Sequence, residues 1–277
     1  RELERKGTEV AVVPCDPNGR LNMCALEETA AGARIVVVNH ASNVVGTIQD
    51  IETATRLAHA AGAVMVVDAA QTAGAVPIDV DAIGIDLLAF AGHKGVLGPS
   101  GTGGLVIGCN FDVDRMEPLI RGGTGSNSGH EHQPDYLPDK YESGTLNGVG
   151  IAGLGAGARF VLDKGVESVR KHGVALTKSL MEGLESMKGV RSYGPRDPEE
   201  RTAVVSFTID GASVSQIGLR LQEDFGIMCR VGLHCAPAAH KTIGTYPEGA
   251  VRFSPGLFTT REQVEQTVHA VERIARQ

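Results

Sequence analysis

No stretch of this 277-residue sequence stays apolar for the roughly 18 residues that cross a bilayer. Nothing at its start has the basic-then-apolar pattern of a secretory signal. The five cysteines (15, 24, 109, 229, 235) form no C-x-x-C pair, so neither a zinc site nor a disulfide framework is predicted. A basic stripe is also lacking: the formal charge is −7, which argues against nucleic acid as a partner. No internal repeat is visible. These absences describe a reduced, cytoplasmic protein that engages neither nucleic acid nor membrane. Hydrophobic residues at 42% and charged residues at 21% then leave enough apolar sequence for one large domain or two smaller ones.

The apolar residues are organised as strands and amphipathic helices. ARIVVVNHAS (33–42) reads as a short buried strand. DIETATRLAHAAG (50–62) places Ile51, Ala54, Leu57, Ala58 and Ala61 on one helical face and stops at Gly62. AVMVVDAAQ (63–71), IDLLAFAG (85–92) and GGLVIG (103–108) add strands. Strand, helix and strand with continuous apolar runs predict an α/β protein whose sheet is mostly parallel and covered by helices on both faces. Residues 110–148 change character to Gly, Ser, Asn, His and Pro, and a loop of that length inside a compact protein is usually functional. Helices are predicted at about 149–163 and 165–188. A second α/β unit follows, with strands at 203–209, 227–231 and 250–254 and helices at 213–224 and 260–276. Thr259 or Thr260 would cap the last helix, with Glu262 or Gln263 closing a capping box.

The segment LLAFAGHKGVLGPSGTGGLVIG (87–108) sets a single lysine, Lys94, between two strands, with six glycines after it. A phosphate-gripping P-loop has the reverse order, glycines first and then Lys-Ser/Thr opening a helix. A lysine on a loop between strands can instead anchor an aldehyde cofactor covalently. Such a cofactor needs a carboxylate against its ring nitrogen, a donor near its phenolic oxygen and a base for the substrate Cα proton. Asp68, Gln71 and Lys94 can supply these, and all three fall at carboxyl ends of strands, where ligands of parallel sheets gather. Taken singly, a strand-ending aspartate is an ordinary cap and a loop lysine is ordinarily solvated; their combination carries the signal.

The motifs NHASNVVGT, VVDAAQTAGAVPIDV, DLLAFAGHKGVLGPSGTGGL, YESGTLN, RVGLHCAP and VRFSPGLFTTREQV resemble, in order and over about residues 8–272, those of class V aminotransferase-fold enzymes. Within that fold they are most similar to the cysteine desulfurase and selenocysteine lyase group. The resemblance implies a fold type I homodimer that uses pyridoxal 5'-phosphate (PLP), with a large cofactor domain over 1–155 and a small domain over 156–277. It implies Lys94 as the cofactor's anchor and as base, Asp68 and Gln71 on the ring nitrogen and phenolic oxygen, and His93 on the phosphate. Thr145 would reach the phosphate of the other subunit, Asn43 would lie near the cofactor oxygen and substrate carboxylate, and Arg252 would clamp that carboxylate. Cys235, flanked by Arg230 and His234, would attack the substrate sulfur. The persulfide would stay on Cys235 and alanine would leave, before a sulfur-acceptor protein takes the sulfur. A nearby cation raises a thiol's thiolate fraction. His234 would position or protonate a sulfur species, or serve structurally. Cys15, Cys24, Cys109 and Cys229 read as structural, and His130 with His132 as a solvated H-x-H lacking a third metal ligand.

Two departures from the pattern matter. Ala91 stands where the family often places a serine that reaches the phosphate. The sequence opens on RELERKGTEV, read as the end of a helix stopped by Gly7, whereas family members carry a further segment ahead of this point. That segment supplies a phosphate-gripping helix start and a histidine stacked on the cofactor ring. Weakened cofactor binding and an open sheet edge are therefore expected of this chain, and full activity of a longer version. Three functions follow for the substrates L-cysteine or L-selenocysteine and their rivals. They are desulfuration or deselenation through Cys235, another class V lyase or aminotransferase reaction without persulfide, and a fragment or interaction module that holds no cofactor.

Overall fold

The computed structural model describes residues 2–126 and 129–276, so positions 127 and 128 of the long loop lie outside the described residues. Two four-stranded sheets organise the chain. The first half runs α1 (Glu2–Arg5), α2 (Met23–Ala30), β1 (Ile35–Asn39), α3 (Ile51–Ala60), β2 (Val64–Asp68), α4 (Val80–Ile83), β3 (Leu87–Ala91) and β4 (Gly103–Ile107). The second runs α5 (Gly148–Lys164), α6 (Val166–Glu185), β5 (Val190–Tyr193), β6 (Val205–Ile209), α7 (Val214–Phe225), β7 (Arg230–Gly232), α8 (Pro237–Thr242), β8 (Ala250–Phe253) and α9 (Arg261–Ala275). The division expected at 155/156 falls inside α5.

In the first sheet, ordered β1-β2-β3-β4, the first three strands are parallel and β4 returns antiparallel beside β3. Asp50 caps α3 by accepting from Thr53 N, and its apolar stripe of Ile51, Ala54, Leu57 and Ala58 packs on Val36, Val38, Met65 and Val67. The run IVVVN reads as uniformly buried, but β1 alternates. Val36 and Val38 face the helices, whereas Ile35 and Val37 are 59% and 67% exposed on the other side. Strand β1 lies at the edge of the sheet, and α3 covers one of its faces.

The second sheet, β5-β6-β8-β7, is antiparallel throughout. Leu176, Leu180 and Leu184, one helical turn apart on α6, meet β6 and β8, where Phe207 and Phe253 stack with ring centroids 5.2 Å apart. Thr260 and Gln263 form the capping box at the start of α9.

The loop after β1 ties the two units together. Val44 and Val45 are buried against Ile243, Ser206 Oγ donates to Val44 O, and Thr202 N donates to Gly46 O at 2.8 Å. Beneath this loop the guanidinium of Arg201 is buried and donates to the carbonyls of Tyr193, Pro195 and Val204. Three carbonyl acceptors offset the desolvation of a buried cation. Among the described residues no helix is long and apolar enough to cross a membrane.

Candidate active site

The carboxyl edge of the first sheet gathers one group of polar side chains. Asp68 closes β2 between Asn39 of β1 and Ala89 of β3. Its Oδ1 accepts from Ala70 N at 2.9 Å and so starts the helical turn that carries Gln71. Lys94 sits in a tight loop closed by Gly98 N donating to Gly92 O at 2.7 Å and Leu97 N donating to Lys94 O at 2.9 Å.

Glycine brings these two segments into contact. A Cβ on Gly95 would lie 2.5 Å from Ala73 O, and one on Gly74 would lie 2.5 Å from Gly95 O. The backbones therefore touch where any side chain would force them apart, which sets the Lys94 loop against the Gln71 turn. The far side of the loop is held the same way, since a Cβ on Gly157 of α5 would lie 2.5 Å from Val96 O. Gly157 of α5 is therefore held to glycine by the Lys94 loop.

The side chains of Gln71, His93 and Lys94 make no hydrogen bond or ion pair among the described residues. Lys94 and His93 are exposed, and Ala91 offers no hydroxyl. An amide, an imidazole and an amine without partners among the described residues, beside a carboxylate whose second oxygen accepts no hydrogen bond from them, at the carboxyl edge of parallel strands, suit an anionic heterocyclic aldehyde. The donor set therefore fits PLP.

The second group stands on the other sheet. Arg230 of β7 and Arg252 of β8 are directly opposed in register. Like charges so placed are destabilising unless an anion joins them. Burial first, and then the charge of Arg230, push the Arg252 guanidinium below its usual range, while the Cys235 thiol pulls it up. Arg252 Nη1 donates to Asn43 O at 2.7 Å, and its buried Nε has no partner among the described residues. An arginine with unspent donors beside a second arginine is suited to a carboxylate.

Cys235 follows β7 on a turn in which His234 and Cys235 both take left-handed backbone conformations, at φ 49° and 60°. Non-glycine residues hold such angles only where surrounding contacts enforce them. Here Asn43 Nδ2 donates to His234 O at 2.8 Å, and Ala236 N donates to Leu233 O at 2.8 Å. His234 is buried with Nε2 3.3 Å from Arg230 O. Burial pushes it down to about 4. A ring lowered in this way favours its neutral form, so the fixed positive charge beside Cys235 comes from the arginines Arg230 and Arg252. His240 lies with its ring centroid 5.3 Å from that of His234, and its Nδ1 is 2.7 Å from Thr245 Oγ1.

The loop after β1 brings these groups together, because Asn43 follows Asn39, the β1 neighbour of Asp68, and contacts both Arg252 and the Cys235 turn. Thr145 stays outside, exposed in the segment before α5. His130 and His132 are exposed, and no group of three or more potential metal ligands occurs among the described residues. Cys15, Cys24 and Cys109, expected to be structural, lie exposed, and only Cys229 is half-buried. Two buried histidines escaped the sequence reading. His40 lies in the quoted NHASN motif, where its N–H donates to Asp68 O; burial pushes its ring down to about 4. His240 was not singled out by any motif, although its partner Thr245 is only five residues on.

Comparison with known proteins places this arrangement among α/β enzymes of one family. The model of the class-V aminotransferases matches residues 1–267, and the chain belongs to that family. It is 38% identical to a probable cysteine desulfurase of Methanothermobacter thermautotrophicus, over 99% of this chain and 68% of that protein. It is 33% identical to one of Pyrococcus abyssi, over 100% of this chain and 68% of that protein. The chain thus spans about two thirds of the length of these relatives. Among solved structures, the apo cysteine desulfurase of Thermococcus onnurineus superposes with a TM-score of 0.90 at 34% identity, over 99% of this chain and 68% of that one. The cysteine desulfurase CsdA of Escherichia coli does so with a TM-score of 0.87 at 29% identity, over 99% and 67%.

Proposed function

We propose that this chain performs cysteine desulfurase chemistry with PLP, moving sulfur from L-cysteine to Cys235 and releasing L-alanine. The observation that carries this reading is an exposed cysteine on an enforced turn, tied through one loop to a half-buried arginine and to the sheet edge where Lys94 stands.

Lys94 is the covalent anchor of the cofactor, Asp68 faces its ring nitrogen, Gln71 its phenolic oxygen and His93 its phosphate. When bound, PLP supplies an electron sink for a carbanion at the substrate Cα. Arg252 binds the substrate carboxylate through its unspent donors, and Lys94 Nζ, released as the substrate amine takes its place, is the base that removes the Cα proton. Cys235 Sγ, drawn by the charge of Arg252, attacks the substrate sulfur. The new S–S bond forms as the Cβ–S bond breaks, and Cβ takes up a proton. Cysteine and the Cys235 thiol thus become alanine and a Cys235 persulfide, with the sulfur oxidised and Cβ reduced. Thr145 acts from a second copy in a homodimer, and a separate acceptor protein receives the sulfur in a cytoplasmic setting. Selenocysteine fits the same groups.

The test begins with added PLP, visible absorption and borohydride reduction, followed by peptide mapping. A pyridoxyl group on Lys94 is expected, then alanine release from cysteine and a persulfide on Cys235. Cys235→Ser should keep the Lys94 adduct and lose alanine release by about a hundredfold or more. Unchanged turnover in that variant would favour a class V lyase or aminotransferase without persulfide chemistry. No adduct on any lysine would favour a module that holds no cofactor.

A further inference from the structure

We propose that Asn43 is a positioning residue: its side chain holds the sulfur-accepting turn in register with the carboxylate-binding arginine. The inference rests on the desulfurase reading and gives Asn43 a different role from the substrate contact that family resemblance implies.

Asn43 meets the two groups through separate atoms. Its side-chain Nδ2 donates to His234 O at 2.8 Å, whereas its main-chain O accepts from Arg252 Nη1 at 2.7 Å. The residues joined in this way lie 191 and 209 positions away in sequence. The turn needs such a hold. His234 and Cys235 are consecutive left-handed residues without glycine, and the bond that His234 makes within its own segment, to Arg230 O, is longer at 3.3 Å. The Asn43 amide fixes the peptide between His234 and Cys235 by its carbonyl, and with it the direction in which Cys235 leaves the backbone. The loop carrying Asn43 is itself anchored by buried Val44 and Val45 and by Gly46 O accepting from Thr202 N. Its position is therefore imposed on the turn rather than borrowed from it.

The division between side chain and main chain makes the role separable. Truncating Asn43 removes the bond to the turn and spares the bond to Arg252. In the PLP-loaded chain, Asn43→Ala should lower kcat for alanine release by about tenfold or more, with KM for cysteine within about twofold of the unaltered chain, and the isosteric Asn43→Asp should lower kcat as well. Independently of turnover, amide exchange in a peptide covering 232–236 should quicken about tenfold in both variants, while β6 and β8 keep their protection and show that the fold is intact. Lowering the pH should restore protection in Asn43→Asp alone, because a protonated acid can again donate to His234 O. A raised KM with kcat retained and exchange unchanged would overturn the proposal and return Asn43 to substrate binding. If the unaltered chain releases no alanine, the desulfurase reading fails by itself, and the exchange data still decide whether Asn43 holds the turn.

Discussion

The Lys94 edge and the Cys235 turn are assembled by opposite means. Around Lys94 the backbone is fixed through glycine contacts and a closed loop, but the side chains of Gln71, His93 and Lys94 have no partner among the described residues. Around Cys235 several side chains are already tied to the protein, although Arg252 keeps donors in reserve. Asn43 holds His234 O, Arg252 holds Asn43 O, His234 lies against Arg230 O and His240 against Thr245. The first group offers a frame that a bound molecule completes. The second is arranged before anything binds, which on the proposed reading lowers the ordering entropy that a substrate would lose there. A large cofactor can order several side chains at once, whereas a thiol must be aimed by the protein alone.

Acid should have the largest effect, and a variant at His234 isolates the share of the Cys235 half. His234 and His40 fold with their pKa values lowered from 6.5 to about 4, in both cases chiefly by burial. The unfolded chain binds more protons between those values. The stability they contribute is complete above about pH 6.5 and is lost as pH falls toward 4, on the order of 3 kcal/mol for each ring. Urea unfolding at pH 7.5, 5.5 and 4.5 measures this. His234→Gln should make the decline shallower by about 1.4 kcal/mol per pH unit within that window. An unchanged slope would show that the ring is not held neutral, and the Cys235 side would lose its claim to be the pre-arranged half.

This contrast was only partly legible in the sequence. The Lys94 half was readable because its determinants are local: Asp68 and Gln71 are three residues apart, and Lys94 lies in one glycine-rich loop. Most strands and helices followed from periodicity and caps, down to Thr260 with Gln263. The antiparallel return of β4 and the short strand β5, VRSY, gave no such pattern, since pairing direction and a half-buried edge are decided by neighbours. The exposed side of β1 was hidden by an apolar run that reads the same whether one face or both are covered. Asn43 and the two opposed arginines were readable as residue types, but their partners depend on register and on contacts nearly two hundred residues apart.

Gly95→Ala breaks the other side of the comparison. The added Cβ would press on Ala73 O, a backbone atom that cannot rotate away, so the Lys94 loop must lift from the Gln71 turn. PLP titration by visible absorption should show affinity weakened about tenfold, equivalent to about 1.4 kcal/mol. Exchange at 232–236 should be unchanged, since the Cys235 turn is held by other bonds. Unaltered PLP affinity would mean that glycine contact does not set the lysine.

The smallest effect belongs to Thr260→Ala. This residue caps α9, and neither Thr260 nor its partner Gln263 contacts the Lys94 loop or the Cys235 turn in any hydrogen bond. Removing its hydroxyl should cost about 1 kcal/mol of stability in urea unfolding. PLP affinity and exchange at 232–236 should both stay as they are. The variant thereby calibrates the other two: a change in either readout here would mean that general loosening reaches the site. The losses from Gly95→Ala and from the histidines could then no longer be assigned to the frame on one side and the aimed thiol on the other.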